Sequence, residues 1–179
     1  MKVTLKKLGL CIQLGHNPHD RCQNGAQAAG DDFVVPDINM IHDVRLDFCD
    51  CETSKAHFIQ LLQYGWFSAL VDQLKTAVTF SVLKHFQLLN FKSKASLFEF
   101  YNTLAQLTDN TGLSAPKVCG LCHRYFIYLI VQDQYHSFLI MVHKYQHLKM
   151  LKRAMRGYDP CGIIVTSPGE CAVLCPACP

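Results

Sequence analysis

The rhythm of apolar and polar positions changes once along this chain, near residue 56. Before that point apolar residues come in short bursts between breakers: "GHNPHD", "QNGAQAAGDD" and "VPDIN" are turn-forming, and "FVV" (33–35) and "MIHDVRLDF" (40–48) between them read as short strands. In the second of these, Ile41, Val44, Leu46 and Phe48 largely alternate with polar residues, the pattern of a strand with one buried face. From about residue 57 the period becomes helical. "KAHFIQLLQYGWFSALVDQL" has apolar residues at Phe58, Leu61 and Leu62 and breaks at Gly65 beside the only tryptophan, Trp66. "TAVTFSVLKHFQLLNF" offers Val78, Val82, Phe86 and Leu89 as one helix face. "ASLFEFYNTLAQLTDNTG" offers Leu97, Tyr101, Leu104 and Leu107 and ends on Asn110 and Gly112. After Pro116, a long helical stretch runs from about Arg124 to Met155 and stops at Gly157 and "YDPCG". The tail "IIVTSPGECAVLCPACP" reads as two short apolar runs around a turn.

The pattern predicts an α+β, mostly helical chain: a strand-and-turn module at 1–56, a helical body at 57–158 and a strand-like tail at 159–179. At 179 residues, half of them hydrophobic and 17% charged, it is globular rather than disordered. The nearest approach to a membrane span, "YFIYLIVQDQYHSFLIMV" (125–142), is interrupted by Gln132, Asp133, Gln134 and His136, so a buried helix is expected there. The N-terminal lysines precede too short and polar a stretch for a signal peptide, which predicts a soluble, intracellular protein without membrane or small-molecule partners.

Ten cysteines are too few for a disulfide scaffold of this length, and in a reducing compartment clustered cysteines point to metal before they point to bridges. The pair Cys49 and Cys51 has one residue between them. In an extended chain residues i and i+2 point to the same side, so both sulfurs can face one ion. A structural zinc site needs four nitrogen or sulfur ligands, and "LGHNPHDRC" supplies His16 and Cys22 on a turn-rich segment able to fold back, with His19 and His42 as spares. The spacing alone leaves two readings open, a zinc site or plain buried cysteines.

Two Cys-x-x-Cys pairs, "CGLCH" (119–123) and "CPACP" (175–179), have the parts of a second zinc site, with Cys175 and Cys178 as further candidate ligands, but lie too far apart for common ribbon spacings. "CGLCH" also fits the c-type haem attachment pattern, and a redox role for either pair would need a strand–helix setting. A surface loop is the simpler expectation for Cys119 and Cys122. Cys11, Cys161 and Cys171 read as isolated apolar positions. Chance pairs of cysteine and histidine do not make a nucleophilic site, and no paired carboxylates or phosphate loops stand out, so no catalytic residue is expected.

From Gln134 to Tyr158 there is no Asp or Glu. Lys149, Lys152, Arg153 and Arg156 recur at i, i+3, i+4 and i+7, one helix stripe beside an apolar one of Leu148, Leu151 and Met155. Such a stripe can lie along the phosphates of DNA, or it can be a solvated face favoured by the helix dipole.

The segments "LGLCIQLGH", "IHDVRLDFCDC", "QLLQYGWF", "KTAVTFSVLKHFQLLNFKSKASLFEFYNTLAQLTDNTG", "HLKMLKRAMRG" and "PGECAVLCPACP" together resemble the cysteine-cluster (CxC-type) region of Kyakuja-Dileera-Zisupton (KDZ) transposases. The resemblance runs in order through nearly the whole chain, departing from the family at "SALVDQLKTA" and at "CGLCHRYFIYLIVQDQYHSFLI". It implies that Cys49 and Cys51 belong to a zinc cluster, with His16 and Cys22 as matching ligands. It also implies a larger protein, with further ligands upstream, a transposase domain beginning at about 159, and residence in the nucleus. On this reading the chain is a non-catalytic accessory region that contacts DNA or a protein partner, the transposase catalytic domain among the candidates. The alternatives are a purely structural or protein-interaction zinc module, and a decayed transposon fragment without activity.

Overall fold

The computed structural model describes residues 6–17, 20–28, 33–71, 74–108, 121–161 and 164–169, with backbone only over 121–133. The architecture is α+β, as the sequence pattern predicts. The chain divides into two compact units, Met1–Met141 and Val142–Pro179.

The first unit is organised around one long strand, β4 (Ile41–Cys49). Val44, Leu46 and Phe48 are buried while Asp43 and Arg45 are exposed, so the alternation in the sequence does set its faces. Every other strand of the sheet borders β4: β1 (Cys11–Gln13) in parallel along Arg45 to Asp47, β2 (Gly25–Gln27) antiparallel along Asp47 to Cys49, and β3 (Phe33–Pro36) antiparallel along Ile41 to Val44. Strands β1 and β2, three residues each, carry too little pattern to be seen in the sequence.

Helix α1 (His57–Gln63) follows. It ends at Gly65, whose φ of +79° turns the chain back. The next stretch is extended, where its apolar spacing predicts a helix. Trp66–Ser68 (β5) and Ala77–Thr79 (β6) form an antiparallel hairpin, so Val78 lies on a strand rather than on the face it was expected to share with Val82. Trp66 stacks on Phe33, ring centroids 6.5 Å apart, and Val34 bridges to Thr76, which docks the hairpin against β3. Leu14, Phe33, Val35, Val44, Leu46, Phe48, Leu61 and Ala77 close one apolar core beneath the sheet. Burial of Phe33 alone contributes about 3 kcal/mol.

Helix α2 (Phe80–Ser93) buries Val82, Leu83 and Phe86. Helix α3 (Leu97–Thr108) buries Phe100, Tyr101 and Leu104. The expected face of α3 holds at Tyr101 and Leu104, but Phe100 joins it and Leu107 is exposed. Ser96 and Glu99 close its first turn reciprocally: the Ser96 N–H and O–H donate to Glu99 Oε2 at 3.1 and 2.9 Å, and the Glu99 N–H donates to Ser96 Oγ at 3.2 Å. At its other end Thr108 Oγ1 accepts from the Ile41 N–H at 2.7 Å, tying α3 to the start of β4. Helix α4 runs Leu121–Arg153, and within the first unit its Phe138 and Met141 are fully buried. Rings of Phe86, Phe100, Tyr101, Tyr135 and Phe138 pack at centroid distances of 5.2–6.3 Å. No helix among the described residues is long and apolar enough to cross a membrane.

In the second unit α4 stops at Arg153, and Met155, with φ of +59°, turns the chain into a short 3₁₀ segment, Arg156–Tyr158.

Candidate metal centre

Three segments of the first unit converge at one end of β4. Cys49 is its last residue, and Cys51 follows in the bend that the Ser54 N–H closes onto the Cys51 carbonyl at 2.8 Å. His16 stands two residues beyond the last bond between β1 and β4, in which the Leu14 N–H donates to the Asp47 carbonyl at 2.9 Å. Cys22 comes from the loop leading into β2. That loop is held by Gln13 Nε2, which donates to the Asp20 carbonyl at 2.9 Å. The ligand-capable atoms of His16, Cys22, Cys49 and Cys51 all lie within 4.8 Å of one another.

Individual separations are 3.1 Å from His16 Nε2 to Cys49 Sγ, 3.7 Å from His16 Nε2 to Cys51 Sγ and 3.6 Å between the sulfurs of Cys22 and Cys51. Metal–sulfur bonds of about 2.3 Å and metal–nitrogen bonds of about 2.0 Å in a tetrahedron place sulfurs about 3.8 Å apart and nitrogen about 3.5 Å from sulfur. The donor set therefore has the chemistry and the dimensions to hold a metal ion. Cys49 is buried and the other three are partly buried.

The backbone N–H of Cys51 donates toward the Cys49 sulfur and brings that thiol down to about 7. Proximity to Cys49 and Cys22 pushes the Cys51 thiol up to about 11. Three sulfurs this close cannot all ionise without a cation among them, and a divalent ion removes that restriction.

A shell of hydrogen bonds holds these groups. Gln60, on α1 and almost fully buried, receives the Cys49 N–H on Oε1 at 3.0 Å and donates from Nε2 to the carbonyls of Cys49 (2.9 Å) and Lys55 (2.7 Å). Asp47 and Cys49 present their backbone groups to the same edge of β4, and β1 has turned away before it reaches Cys49. The Gln60 amide thus takes the place of the missing strand. The chain turns away at Gly15, with φ of +85°. A Cβ there would lie 2.5 Å from Cys49 Cβ and 2.9 Å from Gln60 Oε1. Tyr64 Oη donates to the His16 carbonyl at 3.4 Å, and His57 stacks on Phe48 while its Nε2 pairs with Asp50 Oδ1 at 2.6 Å. Gln60 and Gly15 escaped the sequence reading. A buried glutamine leaves no periodic trace, whereas a glycine just before a ligand is a signal that was available.

Residues 5–112 match the family of CxC2-like cysteine clusters associated with KDZ transposases. The chain belongs to this family. No curated protein and no solved structure matches it. Within this CxC2 chain the other candidate residues fall elsewhere. His42 pairs with Asn39 at 3.1 Å, away from the cluster, and His19, Cys119, Cys171, Cys175 and Cys178 lie outside the described residues. Cys122 is in the first turn of α4 rather than in a loop. Cys11 is no apolar core position: it is exposed, with its sulfur 3.1 Å from Asp47 Oδ2. Cys161 is exposed as well.

The basic segment also differs from its expected form. Lys152 and Arg153 are exposed in the last turn of α4, and Lys149 lies over the Tyr145 ring at 5.4 Å. Arg156 has left the helix and donates to Asp159 Oδ2 at 2.9 Å, an acid just past the stretch without carboxylates. Leu148 and Met155 are exposed, so of the neighbouring apolar stripe only Leu151 is buried.

Proposed function

We propose that this chain is the zinc-binding accessory region of a KDZ-type transposase, contacting DNA and carrying no catalysis of its own. The observation that carries the metal reading is the convergence of one imidazole and three thiols from three segments within 4.8 Å. Three sulfurs and one nitrogen suit zinc over magnesium or calcium, which take oxygen ligands, and a closed tetrahedron leaves no open position for a reacting water. The ion's work is therefore structural. It joins the end of β1, the loop before β2 and the end of β4.

The DNA reading is supported by Lys149, Lys152 and Arg153 at the end of α4, and a nuclear location goes with that reading. Arg156 adds less, because Asp159 already neutralises it. A few such contacts give weak, sequence-indifferent binding whose affinity falls with salt. Replacing Lys152 and Arg153 by glutamine should flatten the salt dependence for duplex DNA by about two logarithmic units per tenfold salt. If wild type and the double variant bind alike at every salt concentration, these residues have no DNA role, and a purely structural or protein-interaction module is the better reading. The Arg156–Asp159 pair favours that second reading, since a local ion pair is what a solvated helix end carries.

A further inference from the structure

Between Asp72 and Glu99 the sequence holds no carboxylate, while Lys75, Lys84, Lys92 and Lys94 each add a positive charge. Helix α2 fills most of this stretch. Its inward face is Val82, Leu83 and Phe86. Ser81, Lys84, His85, Leu88, Phe91 and Lys92 are all exposed, a stripe about 120° wide at the helical period. The face a helix turns to water is ordinarily polar. Here Leu88 and Phe91, one turn apart, are 65% and 70% exposed.

Phe91 is also set among cations. The Nζ atoms of Lys92 and Lys94 each lie 5.9 Å from its ring centroid. Lys94 reaches it because α2 stops there: its φ of +56° ends the helix, its N–H donates to the Asn90 carbonyl at 3.0 Å, and Asn90 Nδ2 donates to the Ala95 carbonyl at 2.9 Å. The turn that presents ring and ammonium groups is thus fixed by backbone bonds. Glu99, the next acid in the chain, is engaged in capping α3.

We propose that this face of α2 binds single-stranded nucleic acid. Phe91 is the platform on which a base stacks, Leu88 meets the adjoining base or sugar, and Lys84, Lys92 and Lys94 follow the phosphates. An exposed ring beside cations on a helix that carries no carboxylate is the combination that unpaired strands use, because every base offers a face to stack and every nucleotide a charge. A duplex hides its base faces and would leave Phe91 unused. A stable protein interface would need about 1,000 Å² with good complementarity, more than one stripe of one helix provides. Lys84 and Lys92 stand about 12 Å apart along the helix axis, which roughly three to four stacked nucleotides span. The surface differs from the basic end of α4 in location, in carrying an aromatic platform and in the form of nucleic acid it takes, and it does not depend on the metal reading.

The test is fluorescence anisotropy of the full chain with a labelled oligothymidylate, with a duplex of the same length, and with vesicles of phosphatidylserine and phosphatidylcholine, over a range of salt. The oligothymidylate should be bound in preference to the duplex. Phe91→Ala should weaken that binding about tenfold and Phe91→Trp should preserve it. Lys92→Gln with Lys94→Gln should flatten the salt slope by about 1.4. Phe91 is exposed, so far-UV circular dichroism should be unchanged in all variants. Binding of oligothymidylate that survives Phe91→Ala within twofold would overturn the proposal. So would dependence on Lys152 and Arg153 alone, or vesicle binding in place of strand binding.

Discussion

Replacing Gln60 by leucine tests how the metal centre is built. Leucine keeps the volume and the burial but removes three hydrogen bonds: from the Cys49 N–H, to the Cys49 carbonyl and to the Lys55 carbonyl. Each buried backbone group left without a partner costs about 1–3 kcal/mol, and some relaxation toward water is available near Lys55, so a loss of roughly 2–5 kcal/mol is expected. The end of β4 would also lose the clamp that aims Cys49 at His16. Groups that orient metal ligands are typically worth about 10–100-fold in affinity, and a drop of that size is expected in competition with a chromophoric chelator. Gln60→Glu should cost at least as much, since a carboxylate still accepts the Cys49 N–H but sets a charged oxygen against the Cys49 and Lys55 carbonyls. Urea unfolding with and without chelator separates the effects: the stability loss should appear in both states, the affinity loss only as metal release. A Gln60→Leu protein that unfolds at the wild-type urea concentration and holds metal within twofold of wild type would refute this account of the clamp.

Further outcomes follow from other contacts. Gly15→Ala combines a left-handed backbone with a Cβ that would lie 2.5 Å from Cys49 Cβ, so it should lower stability by several kcal/mol and impair metal retention, read by thermal unfolding and elemental analysis. Ser96→Ala should cost about 1 kcal/mol through the lost cap of α3. The Ser96 N–H and O–H hold the Glu99 carboxyl below its ordinary range, so its contribution is present above the unfolded value and is lost as pH falls through the folded one. Glu99→Gln should accordingly flatten the acid limb of stability below about pH 4. Burial pushes the Tyr101 phenol up to about 12, so stability is intact below about pH 10 and is lost as pH rises from there toward 12. Tyr101→Phe should make that alkaline loss shallower in circular dichroism.

Much of this was legible because the relevant patterns are long. Nine residues of β4 show their pattern and end it at Cys49, and the pair with one residue between pointed to a shared ligand role, although Cys51 reaches the site from the bend after the strand rather than from an extended i, i+2 position. The α3 face was equally plain at Tyr101 and Leu104. The β5–β6 hairpin was not, because three-residue strands show no period and the apolar run around Trp66 satisfies a helix equally well. Leu107 and Leu148 lie in apolar stripes by spacing yet are exposed, because a stripe states which residues share a face and not how far the core extends. The spacing of Arg156 fits a helix that in fact ends before it, and the left-handed Met155 beyond that end is not a residue that announces a stop. Gln60 depends on where β1 leaves the sheet, a tertiary fact that no local pattern encodes.

The metal itself is the most direct test of the site. Elemental analysis of the folded, chelator-free chain should find about one zinc per molecule. Replacing Cys49 and Cys51 together by serine should abolish it. Folded protein without zinc, or with zinc that survives loss of both cysteines, would contradict the central claim that His16, Cys22, Cys49 and Cys51 form one structural site.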